Sequence, residues 1–104
     1  MGKEKIRKQL TIFIRRVQKF NPQKVILCGS YAQKKANEYS DVDIVVVSDA
    51  FKGISKKKRY DDLYVITNDL YPDFQVHGVT EGEINSMSKL TTLYDAISNG
   101  VVIS

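Results

Sequence analysis

At 104 residues, 42% apolar and 27% charged, the chain has room for one hydrophobic core and is expected to form a single domain over residues 1–104, which excludes fibrous, disordered and two-domain organisation. Its lone cysteine, Cys28, excludes an internal disulfide and points to a reducing cytoplasm. The net charge of +4 is modest, no aliphatic run exceeds Ile44 to Val47, and the MGKEKI start lacks a signal-peptide core and, with Ile6, the serine or threonine of a myristoylation site, so a soluble, unprocessed chain without a membrane partner is expected.

Ile6, Leu10, Phe13, Ile14 and Val17 recur at three- and four-residue spacing and predict a helix from about Lys3 to Lys19. Asn21-Pro22 ends it, because the residue before proline is pushed out of the helical region. KVILCG, Lys24 to Gly29, is a short run of β-formers and reads as a strand. Ser30 and Gln33 then fit the capping box S-x-x-Q, which predicts a helix starting at Ser30 with its amides and positive dipole end outward, an end suited to phosphate. Lys34 and Lys35, one turn on, add charge.

Asp41 to Ser48 reads as a second strand, apolar on both faces beyond its start, as a central strand covered on both sides should be. Ser55 to Leu70 is predicted to be a helix carrying Tyr60, Leu63, Tyr64 and Leu70 inward. Its basic run, Lys56 to Arg59, is read as a solvated face, since Asp61 and Asp62 follow Lys57 and Lys58 at helical spacing. Pro72 interrupts, and Asp73 to Val79 is a third strand. Thr80 to Glu83 has the T-x-x-E capping box and opens a short helix to about Ser88. Leu90, Leu93, Tyr94 and Ile97 mark a last helical face, Gly100 a left-handed terminator and Val101 to Ile103 a small edge strand. Alternating helices and strands imply an α/β or α+β class with a small central sheet.

The chemistry concentrates in GSYAQKKANEYSDVDIVVV, Gly29 to Val47. Residues two apart on a strand face the same way, about 6 to 7 Å from each other, so Asp41 and Asp43 share a face while Val42 and Ile44 enter the core. Two such carboxylates repel unless a cation lies between them. With no sulfur or imidazole nearby in sequence, they suit a hard ion such as Mg²⁺ that also takes substrate phosphates and waters. Gly29 lets a phosphate approach the backbone closely. A Gly-Ser pair, ten residues and Asp-x-Asp should arise by chance in roughly one chain of this length per thousand at ordinary composition. Among the remaining candidates, His77 shares a strand face with Asp73 and Gln75 but reads more simply as structural or exposed. Cys28 reads as a small hydrophobe in a core strand. Tyr31 and Tyr39 flank the motif as candidates for base stacking or plain core-edge packing.

This stretch resembles the signature of the minimal nucleotidyltransferases of the DNA polymerase beta superfamily, Gly-Ser, ten residues, then Asp-x-Asp on the next strand, and the resemblance covers nearly the whole chain. It implies a palm-like fold with a small mixed sheet flanked by helices. Gly29 and Ser30 match the phosphate-holding pair, Asp41 and Asp43 the paired metal ligands, and Asp73 in PDFQV the third carboxylate, which helps deprotonate the acceptor hydroxyl. A two-metal Mg²⁺ site with Asp41, Asp43 and Asp73 as catalytic and metal-binding residues, and ATP or another nucleoside triphosphate as substrate, is thereby implied. Family members commonly carry Arg-Gly where this chain has Gln33-Lys34.

The expectation is transfer of a nucleoside monophosphate, AMP from ATP first, to a hydroxyl acceptor. The resemblance implies a small all-helical HEPN-type partner, with this chain as the antitoxin of a toxin–antitoxin system and a tyrosine of the partner as acceptor. A non-catalytic nucleotide- or partner-binding module is the alternative, slightly favoured by Gln33-Lys34. Nucleic-acid binding through Lys56 to Arg59 is a weaker third, and self-association stays open.

Overall fold

A computed structural model describes residues 3–36 and 40–104. Helix α1 (Lys3–Val17) runs into a 3₁₀ turn, Gln18–Phe20, and stops where Asn21 turns left-handed (φ 51°, ψ 57°) and donates its amide to Gln18 O. Asparagine visits that conformation at lower cost than most residues, and Pro22 could not have continued the helix. As the spacing predicts, α1 buries Phe13 and Val17 and packs Ile6, Leu10 and Ile14 against the same cluster.

Four strands form one mixed sheet in the order β3-β2-β1-β4: β1 (Lys24–Cys28), β2 (Val42–Val47), β3 (Phe74–Val79) and β4 (Val101–Val102). β2 runs parallel to β3, while β1 is antiparallel to both β2 and β4. β2 is buried on both faces after its first residues because each face meets a separate helical layer. Val42, Ile44 and Val46 join Val25, Phe74 and Val76 beneath α1 and α3 (Lys56–Val65), with Phe13 and Leu63 filling the gap. Val45 and Val47 join Ile26, Cys28 and Val79 on the other face, against Ile84 of α4 (Glu81–Ser86) and Leu93, Ala96 and Ile97 of α5 (Thr92–Ser98).

Helix α3 departs from its expected form. Ser55 caps it by accepting from Lys58 N at 3.2 Å, but it ends at Val65, five residues short of Leu70. Ile66 and Thr67 bond three residues back, to Leu63 O and Tyr64 O, and the Thr67 hydroxyl donates to both carbonyls, so the last turn tightens and leaves the helical path. Tyr60 and Tyr64 face outward, 43% and 54% exposed, and stack on each other with centroids 6.5 Å apart. The inward positions belong to Arg59, Leu63 and Ile66, at i, i+4 and i+7.

Arg59 is buried because each nitrogen of its guanidinium has a hydrogen-bond partner. It donates to Ile54 O at 2.8 Å, to Gly78 O at 3.1 Å and to both oxygens of Glu83 at 2.7 and 2.9 Å, and lies 5.7 Å over the Phe51 ring. The basic run is thereby divided. Lys57 and Lys58 pair with Asp61 and Asp62 at 3.0 and 3.1 Å on the exposed face, as expected, while Arg59 is taken out of it.

The capping box at Thr80 forms as predicted: Thr80 Oγ1 accepts from Glu83 N at 3.1 Å, and Glu83 accepts from Thr80 N at 2.9 Å. α5 begins only at Thr92, since Thr91 caps it through Tyr94 N at 3.1 Å. Leu90 therefore stands before the helix, fully in water, and is no part of its apolar face. Gly100 is not left-handed. It is required by space, because a Cβ there would collide with Ile26 Cγ2 and lie 3.0 Å from Leu27 O. No helix among the described residues is long and apolar enough to cross a membrane.

Candidate functional site

On the second face of the sheet α4 and α5 pack over Ile26, Cys28, Val45, Val47 and Val79, while Gln75 and Asp43 are half-buried and His77 is exposed. Toward the start of β2 the inward-facing series changes from valine to aspartate. Asp43 is half-buried and Asp41, one residue before the strand, is exposed. The strand pairings set the neighbours of Asp43: Cys28 stands opposite it on β1 and Gln75 on β3. Directly paired residues of adjacent strands lie about 4.8 Å apart and share a face, so Cys28, Asp43 and Gln75 form a row across the sheet. Val45 and His77 make the next row inward. One step outward, Val42 N donates to Asp73 O at 2.8 Å, which extends the ladder and brings Asp73 level with Asp41 at the rim.

The electrostatics follow this layout. Burial raises the Asp43 carboxyl above the usual aspartate range, the negative charge of Asp41 raises it further, and His77 pulls the other way. Burial, and then Asp43, push the Cys28 thiol up to about 11. That thiol stays protonated at neutral pH, with Sγ donating to Ile26 O at 3.6 Å, and behaves as the core residue its position suggested.

Gly29 lies directly against Asp43. Its φ is +64°, and a Cβ built on it would stand 2.5 Å from Asp43 Oδ2, so only glycine lets the chain leave β1 this close to the carboxylate. The helix that follows, α2 (Gly29–Ala32), is a single turn whose cap position is Cys28, with no side-chain cap. Ser30 lies inside that turn, and the S-x-x-Q capping box does not form. The positive φ of Gly29 starts the turn one residue earlier than the capping pattern assumed, and Gln33 becomes its end, donating its amide to Gly29 O. Ser30 O accepts from Lys35 N at 2.9 Å. Left-handed Lys34 (φ 59°) then turns the chain away, with Lys34 and Lys35 exposed.

Tyr31 packs against the α1 side of the core, and burial followed by Tyr71 raises its hydroxyl pKa. Tyr39 lies outside the described residues. Gln75 as the direct neighbour of Asp43 was not singled out from sequence. A period-two count from Asp73 puts it on the right face, but only the β2–β3 register shows what it stands beside.

The donors at this end fit a hard divalent ion: carboxylate oxygens that repel one another, a thiol that stays protonated, and a glycine cradle that keeps the approach clear. They are gathered loosely, and among the described residues no three His, Cys, Asp or Glu side chains group closely enough to form a metal site by themselves.

The model of the nucleotidyltransferase domain family matches residues 6–99 of this chain. No curated protein matches it. Two solved structures share the fold. One is a Sulfolobus solfataricus protein assigned to the nucleotidyltransferases, 21% identical, with 98% of this chain and 87% of that chain covered and a TM-score of 0.60. The other is a chain of a toxin–antitoxin structure with AMP-PNP, 20% identical, with 100% and 73% covered and a TM-score of 0.52.

Proposed function

The chain belongs to the nucleotidyltransferase domain family, and from that premise we propose that it transfers AMP from ATP to a hydroxyl acceptor, with Asp41 and Asp43 as the paired carboxylates that organise the triphosphate. The observation that carries this reading is the close approach of Gly29 to the Asp43 carboxylate at the start of β2. It joins the two halves of the motif, glycine turn and aspartate pair, in one place.

The acceptor oxygen forms a bond to the α-phosphorus, the bond from that phosphorus to the β-phosphate oxygen breaks, and pyrophosphate leaves. Gly29 and Ser30 hold the β- and γ-phosphates so that attack is in line. Asp73, whose backbone continues the β2–β3 ladder beside Asp41, is the group we assign to take the proton of the acceptor hydroxyl. Mg²⁺ held by Asp41 and Asp43, with Asp73 as a further anionic group, would supply charge neutralisation on the phosphates. The neighbour solved as a toxin–antitoxin complex with AMP-PNP supports nucleotide binding and a protein partner, and on this reading the chain is the antitoxin of such a pair. The acceptor would then be a tyrosine of a HEPN-type partner protein.

Incubation with ATP, Mg²⁺ and a small all-helical HEPN-type protein as candidate partner tests the reading through pyrophosphate release and a mass increase of one AMP on the partner. Asp43→Ala is expected to abolish both, and equal turnover by that variant overturns the assignment. The loose grouping of the acids and Gln33-Lys34 favour one second reading, a module that binds nucleotide without transferring it. ATP binding with no transfer in the presence of the partner establishes that alternative.

A further inference from the structure

Two sides flank Asp43 on the second face of the sheet. Gly29 and Ser30 follow β1 on one of them, and the edge strand β3 lies on the other. In-line displacement brings the entering oxygen in opposite the leaving pyrophosphate, so a triphosphate held over Gly29 and Ser30 is attacked from the β3 side. The side chains that β3 carries on this face are Gln75 and His77, in register with Asp43 and Val45. His77 is exposed, and its imidazole makes no hydrogen bond or ion pair among the described residues, so the fold itself gives it no task. It is nevertheless close enough for its charge to be felt at the Asp43 carboxylate. One row inward from Asp43 and Gln75, it flanks the reacting row without standing in it.

The chemistry of this side also limits what can arrive. β3 reads FQVHGV, without lysine or arginine, and Asp41 and Asp73 stand exposed at the rim. A nucleic-acid strand would meet their repulsion there with no cation to offset it. An uncharged protein segment would meet a glutamine and a histidine, each able to donate and to accept a hydrogen bond. Resting on the functional reading above, we infer that His77 is a positioning residue for the acceptor: its imidazole hydrogen-bonds the uncharged protein segment that carries the hydroxyl and orients it for attack across β3. The nucleotide, held on the β1 side, does not depend on it.

His77 is the chain's only histidine, which makes its reaction with diethyl pyrocarbonate a specific probe. The rate of modification, read by peptide mass, is measured on the whole chain alone, with AMP-PNP and Mg²⁺, and with both plus a small all-helical HEPN-type protein. Nucleotide alone is expected to leave the rate close to that of the free chain, and the added protein to slow it several-fold. In the transfer assay, His77→Ala is expected to raise the KM for that protein roughly three- to tenfold, the worth of one ordinary hydrogen bond, without moving the KM for ATP. His77→Asn, which still donates and accepts, should recover part of the loss. Protection by nucleotide alone, protection by single-stranded RNA in place of the protein, or an unchanged partner KM in a His77→Ala variant that melts like wild type overturns the inference. The protection experiment uses wild type, so it decides even where the alanine variant does not fold. Wild type that transfers AMP to the partner while His77 stays fully reactive sinks this inference alone, whereas wild type that transfers nothing sinks the functional reading with it.

Discussion

The backbone of Gly29 lies against the carboxylate of Asp43, so closely that a single methyl group on Gly29 would reach 2.5 Å from Oδ2. Gly29→Ala therefore meets two obstacles at once. Forcing a side chain into the left-handed region costs roughly 1–2 kcal/mol, and each kcal/mol lowers the melting temperature of a domain this size by about 4–8 °C. The collision also displaces Asp43, and a misplacement on the order of 1 Å at a reacting centre costs about a hundredfold in rate. Calorimetry and a transfer assay are expected to show both losses. A variant that melts lower but transfers normally would mean that the Gly29 contact serves folding alone.

Asp43 itself is held against its own preference, partly buried beside the negative Asp41. Replacing it by Asn removes the repulsion and keeps the shape. The metal-free variant is expected to melt about 1–8 °C above wild type at pH 7, the range for relieving a few tenths to one kcal/mol of charge burial and like-charge strain in a small domain, while nucleotidyl transfer disappears. Addition of Mg²⁺ should raise the melting temperature of wild type and leave the variant unmoved. If the variant melts below wild type without metal, the carboxylate stabilises the fold and the strain described here is absent.

How far the sequence revealed this molecule depended on whether the signal was local. α1, β1, β2 and the Thr80 capping box were legible because periodicity, proline and cap residues act within a few positions. Arg59 was not, since K-K-K-R reads as one polar run, and only the partners brought in from Ile54, Gly78 and Glu83 make its burial tolerable. With Arg59 inward, Tyr60 and Tyr64 must turn out. Leu90 was misplaced by carrying an apolar spacing through Thr91, whose capping role sets the boundary. At the site, period-two alternation was enough to pair Asp41 with Asp43. The register that puts Gln75 beside Asp43 depends on how α3 carries the chain from β2 to β3, a tertiary property with no local trace.

Gly78 of β3 offers a test of packing remote from the aspartates. A Cβ there would lie 2.8 and 2.9 Å from two ring carbons of Phe51. That ring is itself fixed by Phe20, 5.6 Å away, and by Arg59 above it. Gly78→Ala is expected to destabilise by about 1–3 kcal/mol, the usual range for overpacking a dense core. Transfer per folded molecule should be unchanged. Adding Phe51→Leu should return part of the stability, a coupling visible in a double-mutant cycle by urea unfolding. Additive losses would place the cost in the backbone instead of the ring contact.

The ion pair between Arg59 and Glu83 clamps α3 to the start of α4, and its strength should be readable from pH. Hydrogen bonds from the Arg59 guanidinium, with the Thr80 amide helping, outweigh the cost of burial and hold the Glu83 carboxyl at about 2, below its usual 4.5. The folded state thus binds fewer protons than the unfolded chain between those values, so stability rises with pH there. The contribution is fully present above about pH 4.5 and is lost as pH falls toward 2. Removing one partner of a buried pair costs 3–5 kcal/mol, but the Glu83 side chain remains 39% exposed. Solvent screening discounts the figure, and Glu83→Gln is expected to cost about 2 kcal/mol at pH 7. Urea unfolding at pH 7, 4 and 2.5 should show the gap between wild type and variant narrowing as the pH falls. A gap of constant size across that range would show that the shape of the side chain, and not its charge, holds the two helices together.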